Sequence, residues 1–255
     1  MEVTIVGCSG SFAGPDSPAS CYLLRAESEG RTWSIVLDLG NGALGNLQRH
    51  LDPLTVDAVL ISHLHVDHFI DLCGLYVMVK YVPGGSGRKE VPTYGPEGLG
   101  EHLAHAYGNE AIEDVPGVFE FRRIRDLEPI VLGPFTITPV GVKHTIESYG
   151  FRVEAGGRTL AYTGDTDLCD ALTPLMTGAD LVLADAAFVD GRDHTRGIHL
   201  SGSRAAEAAV RAGGVQRLML THIPSWNDPD VCCAQAAAVW PGEVEVAKPG
   251  ATYVV

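Results

Sequence analysis

The apolar positions of this chain fall into short runs closed by small or polar residues. Val3 to Val6 is a brief β-branched run ending in Gly7-Cys8-Ser9-Gly10-Ser11, which predicts a strand that stops in a tight turn. Cys21–Arg25 and Trp33–Leu37 read the same way, the second closing on Asp38 with Gly40 and Gly42 behind it. The spacing predicts a short helix over Ala43–His50, a buried strand over Val56–Ile61 and a helix over Phe69–Tyr81. Pro83 to Lys89 carries the densest loop signal and reads as a surface loop within one domain spanning residues 1–255.

The second half repeats the first in kind. Strand-like runs occupy Phe135–Val140, Gly150–Glu154, Thr159–Tyr162, Leu181–Ala184, Arg217–Leu220 and Val244–Val246. Helical spacing covers the Ala-rich Ser201–Ala212, with Ser201 or Gly202 as its start, and Pro229–Val239. Two β-rich halves, each with helices, predict an α/β architecture of two sheets packed face to face with helices outside.

Charge narrows the functions this fold can carry. The chain holds 18 Lys and Arg against 32 Asp and Glu, a formal net charge of −14. A broad nucleic-acid-binding face needs clustered cations, so that class is disfavoured. The start, Met1-Glu2-Val3-Thr4-Ile5, has neither a basic region nor a long apolar segment and is not expected to act as a secretion signal. The longest apolar stretch, Leu72 to Val82, is interrupted by Lys80 and is too short to span a bilayer, so no membrane partner is expected. The six cysteines form no C-x-x-C pair and suggest no disulfide framework, so a reducing cytoplasm is the expected location.

The densest chemistry lies in Ile61-Ser62-His63-Leu64-His65-Val66-Asp67-His68. It follows a buried strand and precedes a helix. His63 and His65, two residues apart, point to one side of an extended chain. Four metal-capable side chains within six residues have no packing rationale, and imidazole with carboxylate suits zinc, manganese or iron. His144, Asp165 and His222 each close a later apolar segment, where sheets deliver site residues.

The motif H-x-H-x-D-H, with a later His, Asp and His in that order, resembles the metallo-β-lactamase superfamily over essentially the whole chain. The resemblance implies a four-layer αβ/βα sandwich, two mixed sheets flanked by helices, holding two divalent ions, zinc or manganese. It assigns His63, His65 and His144 to the first ion, Asp67, His68 and His222 to the second, and Asp165 to both. In that scheme two dications lower the pKa of a shared water, and Asp67 orients or deprotonates it.

A second set of residues separates branches of that family. Asp185, followed by His199-Leu200-Ser201-Gly202, resembles the acidic residue and His-x-Thr/Ser motif of the tRNA 3′-processing nucleases, ribonuclease Z. The comparison implies that His199 protonates the leaving oxygen and that Asp185 orients it. A carboxylate beside a histidine raises its pKa, as an acid of this kind requires. Those nucleases often carry a long basic arm between the positions of His144 and Asp165. Here only 20 residues separate the two, enough for a hairpin of Tyr149–Glu154, a turn at 155–157 and Arg158–Thr163.

The Gly7–Ser11 turn, His199-Leu200-Ser201-Gly202 and Thr221-His222-Ile223-Pro224-Ser225-Trp226 together resemble actinobacterial proteins of this fold that hydrolyse cyclic nucleotides. Ser9, Ser11, Ser201 and Trp226 are the expected substrate contacts. Tyr149, Phe188 and Trp226 are candidate platforms for a base. Arg192, His194 and Arg196 read as a solvated loop, and Asp38 as a turn residue that supports the metal ligands. The expected activity is hydrolysis of a small phosphodiester, a 3′,5′-cyclic nucleotide such as cyclic AMP. A ribonuclease Z-like endonuclease and a metal-bound, non-catalytic binding module are the alternatives. The ribonuclease Z likeness implies a homodimer.

Overall fold

The computed structural model of the chain describes residues 1–87, 90–111 and 117–255. The fifth to seventh residues of the expected Pro83–Lys89 loop divide accordingly: Gly87 is described, and Arg88 and Lys89 lie outside the described residues.

Two seven-stranded sheets form the centre. The first contains β1 (Glu2–Gly7), β2 (Cys21–Ser28), β3 (Arg31–Leu37), β4 (Ala58–Leu60), β5 (Val91–Gly95), β6 (Phe119–Arg123) and the C-terminal β14 (Thr252–Val254), in the order β14-β1-β2-β3-β4-β5-β6. The second contains β7 (Ile130–Leu132), β8 (Phe135–Gly141), β9 (Tyr149–Ala155), β10 (Arg158–Tyr162), β11 (Leu181–Asp185), β12 (Leu218–Thr221) and β13 (Val244–Val246), ordered β13 to β7. Each sheet is antiparallel on one side and parallel on the other, the change falling at β3 in the first and at β10 in the second.

Alternation along the strands builds three apolar layers. Val3 and Ile5 of β1, Tyr22 and Leu24 of β2, and Phe151 and Val153 of β9 meet between the sheets. Their neighbours Val6, Cys21 and Leu23 face outward, onto α1 (Ala43–Leu47), α3 (Leu72–Tyr81) and α4 (Leu99–Tyr107). Ala161, Val182 and Leu220 of the second sheet face α5 (Leu172–Met176), α6 (Gly202–Ala212) and α7 (Pro229–Ala237). Strands covered on both faces need apolar residues at every position, which is why they read as continuous runs. The result is a four-layer αβ/βα sandwich.

Several boundaries differ from the sequence expectation. The strand expected over Val56–Ile61 is only Ala58–Leu60, because a 3₁₀ turn at Pro53–Thr55, capped by Asp52, occupies the approach. The helix expected from Phe69 is split into α2 (Val66–Phe69) and α3. At the break Asp71 turns inward: its N–H donates to the Leu39 carbonyl and its carboxylate accepts from Leu44 N–H at 2.8 Å. The elements β5, α4, β6, β7, α5 and β14 had no counterpart in the sequence reading. The expected hairpin is present as β9 and β10, joined by Gly156 and Gly157. Their φ values of 60° and 74° are those a two-residue hairpin turn requires.

Candidate metal centre

The site forms where strands of both sheets end. His63 follows β4 by three residues, His144 follows β8 by three and Asp165 follows β10 by three, while His222 directly follows β12. Carboxyl ends of parallel strands open onto the crevice where α/β folds place their ligands. Six of the chain's ten histidines meet here: His63, His65, His68, His144, His199 and His222.

Five of these histidines, together with Asp67 and Asp165, converge on two neighbouring points. At the first, His63 Nε2 and His65 Nδ1 are 3.0 Å apart, His65 Nδ1 and His144 Nε2 are 3.1 Å apart, and Asp165 Oδ2 lies 3.6 Å from His63. At the second, His68 Nε2 and His222 Nε2 are 3.3 Å apart, and Asp67 Oδ2 lies 3.3 Å from the former and 3.2 Å from the latter. Asp165 Oδ1 lies 3.3 Å from His68 and 3.4 Å from His222. Ligands about 2.0–2.1 Å from a tetrahedral zinc ion would stand about 3.3–3.4 Å from one another. The donor sets therefore fit divalent ions, with one oxygen of Asp165 facing each set. Asp165 Oδ1 is moreover a buried oxygen without a hydrogen-bond partner among the described residues.

Neighbouring groups fix which nitrogen each histidine presents. Asp38 is fully buried, and Oδ2 accepts from His68 Nδ1 at 2.8 Å, Ser62 Oγ at 2.9 Å and Tyr162 Oη at 2.7 Å. Since Ser62 Oγ gives its proton to Asp38, it accepts from His63 Nδ1 at 3.0 Å. His144 Nδ1 donates to the Ile198 carbonyl at 2.8 Å. In all three residues Nε2 is left for a ligand's role. Asp38 and His222 hold left-handed backbones, with φ of 58° and 56°. For non-glycine residues this costs roughly 1–3 kcal/mol each, a strain characteristic of functional sites. The turn that carries Ser11 closes over His222. A Cβ on Gly10 would fall 2.2 Å from the His222 carbonyl oxygen, so only glycine passes there, and Ser11 N–H points at His222 Nε2 from 3.3 Å.

The two donor sets differ electrostatically. Burial pushes His63 well below the ordinary imidazole range, with His68 adding to the effect, and lowers His65 and His144. Burial opposes protonation of His68 too, but Asp165, Asp38 and Asp67 outweigh it and raise its pKa well above the usual value. His222, equally buried, is pushed up to about 10 by Asp165, Asp185 and Asp67. Burial would raise the carboxyls of Asp67 and Asp165, yet the surrounding histidines hold both well below the usual range.

His199 stands over both sets, its ring 5.3 Å from that of His144 and 5.3 Å from that of His222. Its Nδ1 donates to Asp185 Oδ2 at 3.0 Å. Asp185 is held in turn by the N–H groups of Ala187 at 3.0 Å and Thr166 at 3.1 Å. Burial works against a charged His199, but Asp185 prevails and raises its pKa.

The expected substrate contacts separate. Ser11 is exposed beside His222, and Trp226, 65% exposed, packs on Phe12 with ring centroids 4.8 Å apart. Ser201 is not offered to a substrate: it is fully buried, caps α6 through Arg204 N–H and donates to Asp190. Ser9 is buried and lines a different cavity. Tyr149 is buried with its hydroxyl on Glu147, so it offers no platform for a base, whereas Phe188 packs against His199 in a T-shaped arrangement with ring centroids 5.2 Å apart. The loop before His199 is anchored as well as solvated. Arg196 pairs with the buried Asp167 at 3.0 Å, and Gly197 N–H donates to the same carboxylate at 2.7 Å. Arg204, buried on α6, pairs with its other oxygen. Sequence reasoning passed over Asp167 and Arg204. The available signal was a charged residue at a core position of an Ala-rich helix.

A model of the beta-lactamase superfamily domain matches residues 34–223. The chain belongs to the metallo-β-lactamase superfamily. Among relatives of this superfamily member, the uncharacterized protein Rv1339 of Mycobacterium tuberculosis is 43% identical, covering 100% of this chain and 92% of that protein. The probable metallo-hydrolase YhfI of Bacillus subtilis is 30% identical over 98% of both chains. The crystal structure of YhfI superposes with a TM-score of 0.86, covering 99% of this chain and 98% of that one. A ribonuclease Z from Myxococcus xanthus is 26% identical, covering 99% of this chain and 97% of the relative. Superfamily membership, these relatives and the two donor sets identify a metal-dependent hydrolase. No helix among the described residues is long and apolar enough to cross a membrane.

Proposed function

We propose that this chain, as one domain over residues 1–255, hydrolyses a small phosphodiester, a 3′,5′-cyclic nucleotide such as cyclic AMP. The observation that carries the reading is the His199–Asp185 pair beside both donor sets. Hydrolysis of a phosphodiester needs a proton delivered to the departing oxygen, and a buried imidazole kept charged by a carboxylate supplies one at neutral pH. Lactam or thioester hydrolysis makes less use of such a pair.

His63, His65, His144 and Asp165 Oδ2 would hold one divalent ion; Asp67, His68, His222 and Asp165 Oδ1 would hold the other, zinc and manganese suiting both sets. Bound there, two dications supply Lewis-acid charge for the phosphoryl oxygens and lower the pKa of water. Asp67 directs Oδ2 at His68 and His222, leaving Oδ1 to orient the attacking water and take up its proton. His199, with Nδ1 on Asp185, delivers a proton from Nε2 to the sugar oxygen as its bond to phosphorus breaks. Ser11 and Trp226 lie at the rim on the His222 side, where Trp226 offers a face to a base.

A small substrate is favoured over tRNA by two features. The β9–β10 connection is the two-residue turn Gly156-Gly157, with no basic arm, and the net charge of −14 repels a long polyanion. The Myxococcus ribonuclease Z supports the endonuclease alternative. We place the activity in the cytoplasm, in keeping with six unpaired cysteines, and the working form as a homodimer.

Protein loaded with manganese or zinc is expected to convert cyclic AMP to AMP and to cleave bis-p-nitrophenyl phosphate. Cleavage of precursor tRNA without turnover of cyclic nucleotides would replace this reading with the endonuclease. Stoichiometric metal without turnover of any of the three would leave a binding module.

A further inference from the structure

His199, the proton donor of the proposed reaction, stands midway between two grips on its own backbone. Two residues before it, Gly197 N–H donates to Asp167 Oδ2 at 2.7 Å, and Gly197 holds a φ of 83°, a left-handed backbone open to glycine. Two residues after it, Ser201 Oγ accepts from Arg204 Nε at 3.1 Å. The two grips are joined to one another, because Arg204 Nη1 pairs with Asp167 Oδ1. Asp167 and Arg204 are 1% and 7% exposed. A buried ion pair adds little stability over apolar residues of the same volume, so a contribution to the core does not account for this one.

Its geometry does. Both oxygens of Asp167 are engaged: Oδ1 by Leu168 N–H at 2.8 Å and by Arg204, Oδ2 by Gly197 N–H and by Arg196 Nε at 3.0 Å. The main chain of Asp167 is pinned too. Its N–H donates to the Lys143 carbonyl at 2.9 Å, and Lys143 N–H donates to Thr166 Oγ1 at 3.2 Å. Lys143 adjoins His144, and Asp165 lies two residues before Asp167. One residue therefore ties the turn of His144, the turn of Asp165 and the segment of His199 together. Asp185 does not supply this, because it fixes the His199 ring through Nδ1 and takes Leu200 N–H only at 3.4 Å. Phe188 N–H also holds the Leu200 carbonyl, at 3.0 Å, whereas the Gly197 side rests on Asp167 and on His144 Nδ1, which donates to the Ile198 carbonyl.

We propose that Asp167, acting with Arg204, is a positioning residue that holds the backbone of residues 197–201 so that His199 Nε2 faces the departing oxygen. The inference rests on the acid role given to His199 above. A general acid works only within hydrogen-bond reach of the atom it protonates, and a displacement of about 1 Å can cost about 100-fold in rate. Asp167 touches neither substrate nor donor set, and acts through the main chain that carries His199.

Two substrates separate positioning from folding. The sugar oxygen of cyclic AMP leaves with a proton from His199, whereas p-nitrophenolate leaves bis-p-nitrophenyl phosphate as a stable anion and needs none. The kcat for each is measured at saturating metal, because the Ile198 carbonyl also serves the ligand His144. Asp167→Asn is expected to lower kcat for cyclic AMP by roughly 10–100-fold, while bis-p-nitrophenyl phosphate keeps most of its turnover. The ratio of the two rates does not depend on how much of the protein folds. Arg204→Lys keeps a charge against Asp167 but loses the fork that reaches Ser201, and the same split is expected at about tenfold. It takes the place of Asp167→Asn if that variant yields no folded protein. His199→Ala sets the reference and should show the split most strongly. If His199→Ala lowers both substrates alike, the acid role fails and this inference falls with it. If His199→Ala splits the substrates but Asp167→Asn, or Arg204→Lys in its place, leaves both rates unchanged or lowers both alike, the acid role stands and the positioning role is overturned.

Discussion

The two donor sets of the metal centre sit side by side, share Asp165, and are built on opposite electrostatic plans. The first gathers three imidazoles whose burial keeps them neutral, so their nitrogens stand ready for a metal. The second places two imidazoles among Asp67, Asp165, Asp38 and Asp185, and both hold protons above the ordinary range. The difference teaches that ligand identity does not alone set a site's behaviour. His63 and His68 are equally buried residues of one motif, and the carboxylates around His68 reverse the direction of its shift.

Removing the shared residue should have the largest effect. Asp165→Ala deprives both sets of an oxygen and is expected to cost at least one metal equivalent per chain by elemental analysis. Unchanged stoichiometry would sink the bridging role.

His199→Ala should instead keep both equivalents while lowering turnover by about 10²–10⁴-fold, the usual range for a general acid. Loss of metal would make His199 a ligand and erase the distinction between the donor sets and the pair above them.

Asp38→Asn acts on the second set through His68 and should weaken metal binding there by roughly 10–100-fold, as removal of an outer hydrogen-bond partner does. An equal loss at the first set would mean that the two are coupled through Ser62, which touches Asp38, His63 and His68.

The smallest effect is a count of protons. Raised pKa values mean that His68 and His222 still carry protons at neutral pH, and a metal must displace them. Binding at the second set should therefore release protons at pH 7, and its affinity should climb with pH until His222 titrates near 10. The first set, with lowered values, should release almost none. Titrations in buffers of differing ionisation enthalpy measure both counts, and equal counts would remove the electrostatic contrast.

The sequence disclosed this centre unevenly. The motif from His63 to His68 was legible because four metal-capable side chains in six residues have no use in a core. The central strands were legible because burial on both faces leaves unbroken apolar runs. The stretch from Val91 to Leu132 was not: β5 contains Pro92 and Gly95, and β6, Phe-Glu-Phe-Arg-Arg, lies at a sheet edge with polar residues facing out. The serines show a different limit. Ser9 and Ser11 of the Gly7–Ser11 turn and Ser201 of His199-Leu200-Ser201-Gly202 looked alike as small polar residues, but one lines a cavity, one is exposed beside His222 and one caps a helix. Which side of a turn faces the metals is decided by packing between elements far apart in sequence. Asp38, 30 residues before His68, shows the same point, since only the β3–β4 pairing brings its carboxylate onto that ring.

The two proposed ion sites draw on both halves of the chain, and this has a consequence for biosynthesis. His63, His65, Asp67 and His68 come from the first sheet's strand ends, and His144, Asp165 and His222 from the second's. Chains emerge from the ribosome N-terminus first, at about 5–20 residues per second. A nascent chain of 70 residues would thus display the dense motif with neither ion site complete, and the second site would wait until residue 222 had been made. Neither donor set is complete before the second sheet's strand ends have been made, the first at Asp165 and the second at His222.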